Sequence, residues 1–198
     1  MYPLLETIRI HKNRAENLSF HQQRMDTSYA EVYATDNPFR LEEIIDAPQI
    51  PSDKIFKCRL LYGKNDYSIR IEPYSPKKIN SLKIVHTGTL DYHLKYADRR
   101  ELNNLVQQKS FCDDVLIVKH GLVTDTSYAN IAFFNGHHWY TPEPPLLNGT
   151  KRQMLIEKEV IIPKKISPAD LSQYKGFRIV NAMLVFKHQP IVPIKHII

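Results

Sequence analysis

Cysteine is scarce in this 198-residue chain: there are two, Cys58 and Cys112, and no C-x-x-C spacing. A pair of reduced thiols is therefore expected rather than a disulfide framework. No apolar run approaches the ~18–20 residues that a membrane-spanning helix needs. The opening MYPLLETIRI has neither the basic region nor the small-residue cleavage site of a signal peptide, so a cytoplasmic location is expected. Internal repeats and low-complexity tracts are absent, and the apolar and charged fractions, 42% and 24%, are those of an ordinary globular chain. That length makes one domain or two small ones with a real core. The net charge of +6 is scattered along the chain and accompanied by no nucleic-acid motif. The excess is equally compatible with an anionic small molecule, which is the partner expected, with no nucleic acid and no membrane. The Gly149-Thr150-Lys151 triplet has the wrong order for a Walker A loop. His137 and His138 are strand neighbours facing opposite ways with no further ligand set, so no metal site is expected.

What the chain does have is concentrated between Gly121 and Arg152, GLVTDTSYANIAFFNGHHWYTPEPPLLNGTKR. Gly121 follows the apolar run 115–118 and suits a tight turn at positive φ. A short strand and a polar turn carry Asp125, five residues before Asn130, which opens a strand over 130–134. Asn135-Gly136 signals a hairpin, with 137–141 as the returning strand. Pro142, Pro144 and Pro145 force a loop, and Leu147-Asn148-Gly149-Thr150 leads into a helix over 151–160. A helix start preceded by glycine suits a phosphate. These residues alone describe an anion site beside a buried carboxylate.

Elsewhere, residues 4–10 read as a strand, 11–14 as a turn, and Ser19 as the N-cap of a helix over 20–33. Pro38 starts a short helix over 39–45, which Pro48 and Pro51 end. Residues 54–62 and 67–74 form a hairpin, in which alternation puts Lys57, Arg59 and Leu61 opposite Phe56, Cys58, Leu60 and Tyr62. Residues 75–80 have linker character, 82–87 read as a strand, and a helix after Arg100 buries Leu102, Leu105 and Val106. A last clear strand spans 176–180.

The order of an acid, an asparagine five residues on, a strand pair ending in Thr-Pro, and then Leu-x-Gly-x-x-Arg resembles the class IV aminotransferase family. These pyridoxal 5'-phosphate (PLP) enzymes of fold type IV include branched-chain and D-amino-acid aminotransferases and aminodeoxychorismate lyase. The resemblance covers most of the chain. It implies an α+β fold of two α/β domains, D-amino-acid aminotransferase-like, with an N-terminal domain over 1–78 and a PLP-binding domain over 79–198. It also implies a homodimer with PLP in the cleft between domains. Typical members begin before the Leu-x-Thr-x-Arg strand where this chain starts. An N-terminally shortened form is expected, its pocket more open there or completed by a partner subunit.

The family's roles carry over residue by residue. Lys95-Tyr96-Ala97-Asp98-Arg99 is close to the lyase pattern Lys-x-x-Asn-Arg, which implies that Lys95 is the Schiff-base lysine. An amine desolvated in a pocket is a better nucleophile and a competent general base. Asp125 stands where the family has glutamate, one methylene longer, and is expected to keep the cofactor's ring nitrogen protonated. The segment SFHQQRM resembles the family's His-x-x-Arg-Leu, which makes Arg24 a phosphate contact. The backbone N–H groups of Thr150 and Lys151 are expected on the same phosphate. Asn181-Ala182-Met183 resembles the lyases' Cys-Asn-Ala-Leu-Met, where other members place a phosphate-contacting threonine. Ala182 offers only its N–H, and Asn181 is expected to substitute for the missing hydroxyl. Asn130 is expected to order its turn by hydrogen bonds to the backbone. Arg59 lies on the strand that lines the family's substrate pocket and is expected to hold a substrate carboxylate. The two segments around Lys95 and Asn181 lean toward a lyase converting 4-amino-4-deoxychorismate to 4-aminobenzoate and pyruvate. A class IV aminotransferase acting on an amino acid and a 2-oxo acid is the alternative, and a non-catalytic family member a further one.

Overall fold

A computed structural model describes residues 3–45 and 54–198. The chain divides into two compact units, Met1–Pro76 with Leu94–Asp98, and Lys77–His93 with Arg99–Ile198. Both mix helix and sheet.

In the first unit β1 (Leu4–His11), β2 (Arg14–Ala15), β3 (Ile55–Tyr62) and β4 (Tyr67–Pro73) form an antiparallel sheet in the order β2-β1-β3-β4. Helix α1 (Leu18–Tyr33) buries His21, Met25, Ser28 and Tyr29, a stripe at helical spacing. Leu4, Ile8 and Ile10 of β1 and Cys58, Leu60 and Tyr62 of β3 join Met25 and Tyr29 in one core, to which Leu94 also belongs. The cap of α1 is Asn17 at φ 55, not Ser19. The chain leaves β2 only two residues before the helix, so it must reverse sharply, and asparagine tolerates the left-handed conformation that this requires. Helix α2 is a single turn, Leu41–Ile44. The expectation that Pro48 and Pro51 end it lies outside the described residues.

The second unit holds two sheets. Strands β5 (Leu82–Thr87), β6 (Asp114–Lys119) and β7 (Leu122–Thr126) form one, with β5 parallel and β7 antiparallel to β6. Helix α3 (Arg100–Val106) connects β5 to β6 and buries Leu102, while Leu105 and Val106 are only half-buried. His120 and Gly121, at φ 51 and 79, make the two-residue turn between β6 and β7. Positive φ at both central residues gives a hairpin the twist of its strands. The five-stranded sheet has β8 (Asn130–Phe134), β9 (Trp139–Pro142), β10 (Ile162–Lys164), β11 (Gly176–Val180) and β12 (Val192–Pro193) in the order β10-β9-β8-β11-β12. Helix α4 (Thr150–Glu157) is the crossover between the parallel strands β9 and β10. Leu116, Val118, Val123, Ile131, Phe133, Phe177 and Ile179 are core residues drawn from both sheets.

The β8–β9 hairpin differs from its sequence reading. His137 and His138 lie in the loop rather than on a strand, because both their N–H groups donate to Asn135 Oδ1, at 2.9 and 2.8 Å. An asparagine side chain that grips the backbone in this way takes those residues out of the ladder. Asp125 sits on β7, with the turn after it.

Candidate active site

In the second unit, Asp125 is buried at the end of β7 and Asn130 opens β8. The turn between them is closed by Thr126, whose N–H and hydroxyl both donate to Ala129 O. Arg99 Nη2 donates to Ser127 O at 2.8 Å from outside the turn. The turn brings the Asn130 amide back to Asp125, and Nδ2 donates to Asp125 Oδ1 at 2.7 Å and to Leu147 O at 2.8 Å. Leu147 N–H donates in return to Asp125 Oδ2 at 2.8 Å. Acid, amide and loop backbone thus close a ring of three hydrogen bonds.

Burial pushes the Asp125 carboxyl up to about 6. The Leu147 N–H, the Asn130 amide and the charge of Arg152 oppose that rise without cancelling it. Neutral donors satisfy the carboxylate here, and the nearby cation is Arg152. The guanidinium of Arg152, itself buried, donates to Pro142 O at 2.9 Å, Glu143 Oε2 at 2.6 Å and Asn148 Oδ1 at 3.3 Å. It straps the proline-rich loop to α4. The sequence reading assigned Arg152 no role, although it closes the Leu-x-Gly-x-x-Arg pattern.

Gly149 precedes α4 at φ −69 and ψ 138, a conformation open to any residue. Its lack of a side chain matters for another reason: a Cβ there would overlap Asn130 Oδ1. Thr150 is buried and Lys151 half-buried in the first turn of α4. Val180 pairs with Asn130, so the turn after β11 lies at the same end of the sheet. In that turn Asn181 Oδ1 accepts from Met183 N–H at 3.0 Å, and Asn181 and Ala182 are half-buried. The structure therefore gathers Asp125, the start of α4 and the Asn181–Ala182 turn around Asn130.

The first unit holds the remaining predicted residues. Glu6, on the α1-facing side of β1, is fully buried. It accepts from Arg24 Nε at 2.8 Å and Nη2 at 2.5 Å, and lies 2.6 Å from His21 Nδ1. Burial alone would raise its carboxyl; Arg24 and His21 overcome that and hold it at about 2. His21 is held below the usual histidine range by burial and by the positive charges of Arg24 and Lys95, against the pull of Glu6. A neutral imidazole donating from Nδ1 fits this balance. Lys95 is half-buried, and its C=O accepts from Leu5 N–H at 3.0 Å, so the 94–98 segment is laid along β1. Lys95 and Arg24 therefore act on one buried cluster. Neither Glu6 nor His21 was assigned a role in the sequence, yet a carboxylate in phase with Leu4, Ile8 and Ile10 was a readable signal.

Arg59 stands apart. It pairs in register with Thr7 and Arg70, whereas Glu6 pairs with Leu60. Alternation puts Arg59 on the opposite sheet face from Glu6 and Arg24, and it is exposed there.

These groups have the chemistry that PLP requires. A buried acid titrating near neutrality suits a pyridine nitrogen, helix N–H groups suit a phosphate dianion, and a lysine among cations suits a Schiff base. Two of the five N–H groups of Arg24 are committed to Glu6, which leaves donors for an anion.

Comparison with known proteins gives the same picture. The family model of amino-transferase class IV matches residues 3–197. An uncharacterized protein of Haemophilus influenzae is 35% identical over 185 residues, 92% of this chain and 98% of its own length. A solved structure from Haemophilus somnus, named only provisionally as a 4-amino-4-deoxychorismate lyase, is 40% identical with a TM-score of 0.89. It covers 92% of this chain and 97% of its own. A Mycobacterium tuberculosis protein named as a hypothetical aminotransferase, in a PLP-bound form, has a TM-score of 0.76 at 18% identity, over 93% of this chain and 78% of its own.

Proposed function

The chain belongs to the class IV aminotransferase family, whose members are PLP-dependent enzymes, and on that premise we propose that it cleaves 4-amino-4-deoxychorismate to 4-aminobenzoate and pyruvate. The observation that carries the PLP part is the buried Asp125, held by neutral donors and titrating near 6 beside the start of α4. The lyase part is supported by the Lys95-x-x-Asp98-Arg99 and Asn181-Ala182-Met183 segments. The provisional name of the Haemophilus somnus protein supports it as well.

When bound, PLP supplies an electron sink for the bonds broken at the substrate carbon. Lys95 would hold the cofactor covalently and, once the substrate amine has displaced it, would be free to take the proton from the substrate carbon that bears the amine. Loss of the neighbouring enolpyruvyl oxygen leaves an aromatic ring, and a proton delivered to the released enolpyruvate gives pyruvate. Asp125 would carry the negative charge that keeps the ring nitrogen protonated. Arg24, the Thr150 and Lys151 N–H groups and the Asn181–Ala182 turn would hold the phosphate; Arg59, on the opposite sheet face from Arg24, would reach a substrate carboxylate only from that exposed face. We also infer a cytoplasmic homodimer, as is usual in the family; a monomer by light scattering at working concentration would remove the dimer.

The test is incubation of the purified, PLP-loaded protein with 4-amino-4-deoxychorismate, scoring 4-aminobenzoate. A parallel incubation with an amino donor and 2-oxoglutarate scores glutamate. Aminobenzoate above background supports the proposal. Glutamate with no aminobenzoate would replace it with the aminotransferase reading.

A further inference from the structure

We propose that Asn130 is a positioning residue that locks the acid Asp125 and the start of α4 into one register, so that the two ends of a bound pyridoxal phosphate are set by one side chain. This rests on the proposed use of PLP and goes beyond the family's assignment of ligands, because Asn130 itself touches no cofactor in that scheme.

The geometry is specific. Asn130 Nδ2 has two hydrogens, and each has its own acceptor: Asp125 Oδ1 at 2.7 Å and Leu147 O at 2.8 Å. Leu147 N–H then returns to Asp125 Oδ2. Both polar groups of the Leu147 backbone are thus held by the acid–amide pair. Leu147 lies three residues before Thr150, the first residue of α4. Between them Gly149 packs so closely on Asn130 Oδ1 that no Cβ fits. The oxygen of the amide thus shapes the entry to the helix while its nitrogen fixes the acid. A residue needed only to close the 126–129 turn would not have to do both, since Thr126 already closes it through Ala129 O. Arg152 is the cation whose field reaches Asp125, and it is anchored separately on Pro142 O and Glu143.

Two variants test the lock from opposite sides. Asn130→Ala removes the amide; Gly149→Ala leaves it in place but pushes its oxygen away. Gly149 has ordinary helix-entry dihedrals, so the alanine is tolerated by the backbone and acts only through the overlap. Two readouts are taken on each: the midpoint of the Asp125 carboxyl by carbon-13 NMR on the cofactor-free protein, and the affinity ratio of pyridoxal phosphate to pyridoxal. The first reports the acid and the second isolates the phosphate. Both variants are expected to raise the Asp125 midpoint and to shrink the affinity ratio, the latter about tenfold, the scale of a buried polar group left unpartnered. Either readout moving without the other, or neither moving in a protein whose circular dichroism melt shows it folded, overturns the lock. If Asn130→Ala fails to fold, Gly149→Ala decides, because it removes no atom from the ring of hydrogen bonds. A wild-type protein that binds pyridoxal phosphate no better than pyridoxal brings down the proposed function and this inference together. Tight wild-type binding with variants that do not shift both readouts brings down this inference alone.

Discussion

Glu6 and Asp125 are buried to nearly the same degree, one in each unit, and their surroundings drive them in opposite directions. Glu6 meets a guanidinium fork and an imidazole and stays ionised down to about 2. Asp125 meets an amide and a backbone N–H and rises to about 6. Burial is common to both, so what separates them is the charge of the partner that compensates for it. A carboxylate neutralised by a neighbouring arginine is a structural group with its charge already spent. A carboxylate held only by neutral donors is left seeking a cation, and a protonated pyridine nitrogen is one.

The strongest way to break this comparison is to neutralise each acid. Lys95→Ala should abolish borohydride-fixed labelling of the protein by PLP. Asp125→Asn should keep the labelling and lower kcat about 1,000-fold, within the range for a lost acid–base contribution. Near-normal turnover in Asp125→Asn would show that this acid is not the ring-nitrogen partner. Glu6→Gln should act on stability instead. It leaves Arg24 beside a neutral amide in a buried setting, a change of about 3–5 kcal/mol by analogy with broken buried pairs, readable by urea denaturation. A Glu6→Gln protein as stable as wild type would remove the contrast.

The pH dependence of folding sharpens the same contrast. The carboxyl of Glu6 binds its proton less readily in the folded state than its ordinary value of 4.5. Its stabilising contribution is therefore complete above about 4.5 and is lost as pH falls toward 2. Asp125 has the reverse sign: its folded value lies above its ordinary 3.8, so the cofactor-free protein loses stability as pH rises from about 4 to about 6. The loss is on the order of 3 kcal/mol. Chemical denaturation of cofactor-free Asp125→Asn across that window should show the slope flattened. An unchanged slope would mean that another group titrates there.

Much of the fold was legible because its strands announce themselves. The expected strands at Leu82–Thr87, Asn130–Phe134 and Gly176–Val180 have the bounds read from their apolar runs and flanking turn residues. Helix starts were less legible. Ser19 has the better capping side chain, but the tight exit from β2 selects Asn17 by backbone conformation, which propensity does not register. At the site, the order of motifs pointed to Asp125 and Gly149, but not to why glycine is needed, since its reason is the Asn130 oxygen brought there by the fold. The Glu6 cluster was missed for a related reason: His21 and Arg24 lie on one helical element and Glu6 on a strand well before it, and only packing joins them.

The smallest expected effect on folding concerns the other arginine of the first unit. Arg24 is locked to a buried carboxylate, whereas Arg59 lies exposed on the opposite sheet face beside Thr7 and Arg70. An exposed strand residue outside any buried network changes stability by less than about 0.5 kcal/mol when truncated. Arg59→Ala should therefore melt like wild type and take up PLP normally. If Arg59 holds a substrate carboxylate in ground state and transition state alike, the variant should raise KM strongly with kcat little changed, because what is lost is uniform binding. Arg24→Ala should do the converse, weakening PLP uptake and folding together through the abandoned Glu6. An Arg59→Ala protein with an unaltered KM for 4-amino-4-deoxychorismate would show that the carboxylate is held elsewhere, and that Arg59 is a solvated strand residue.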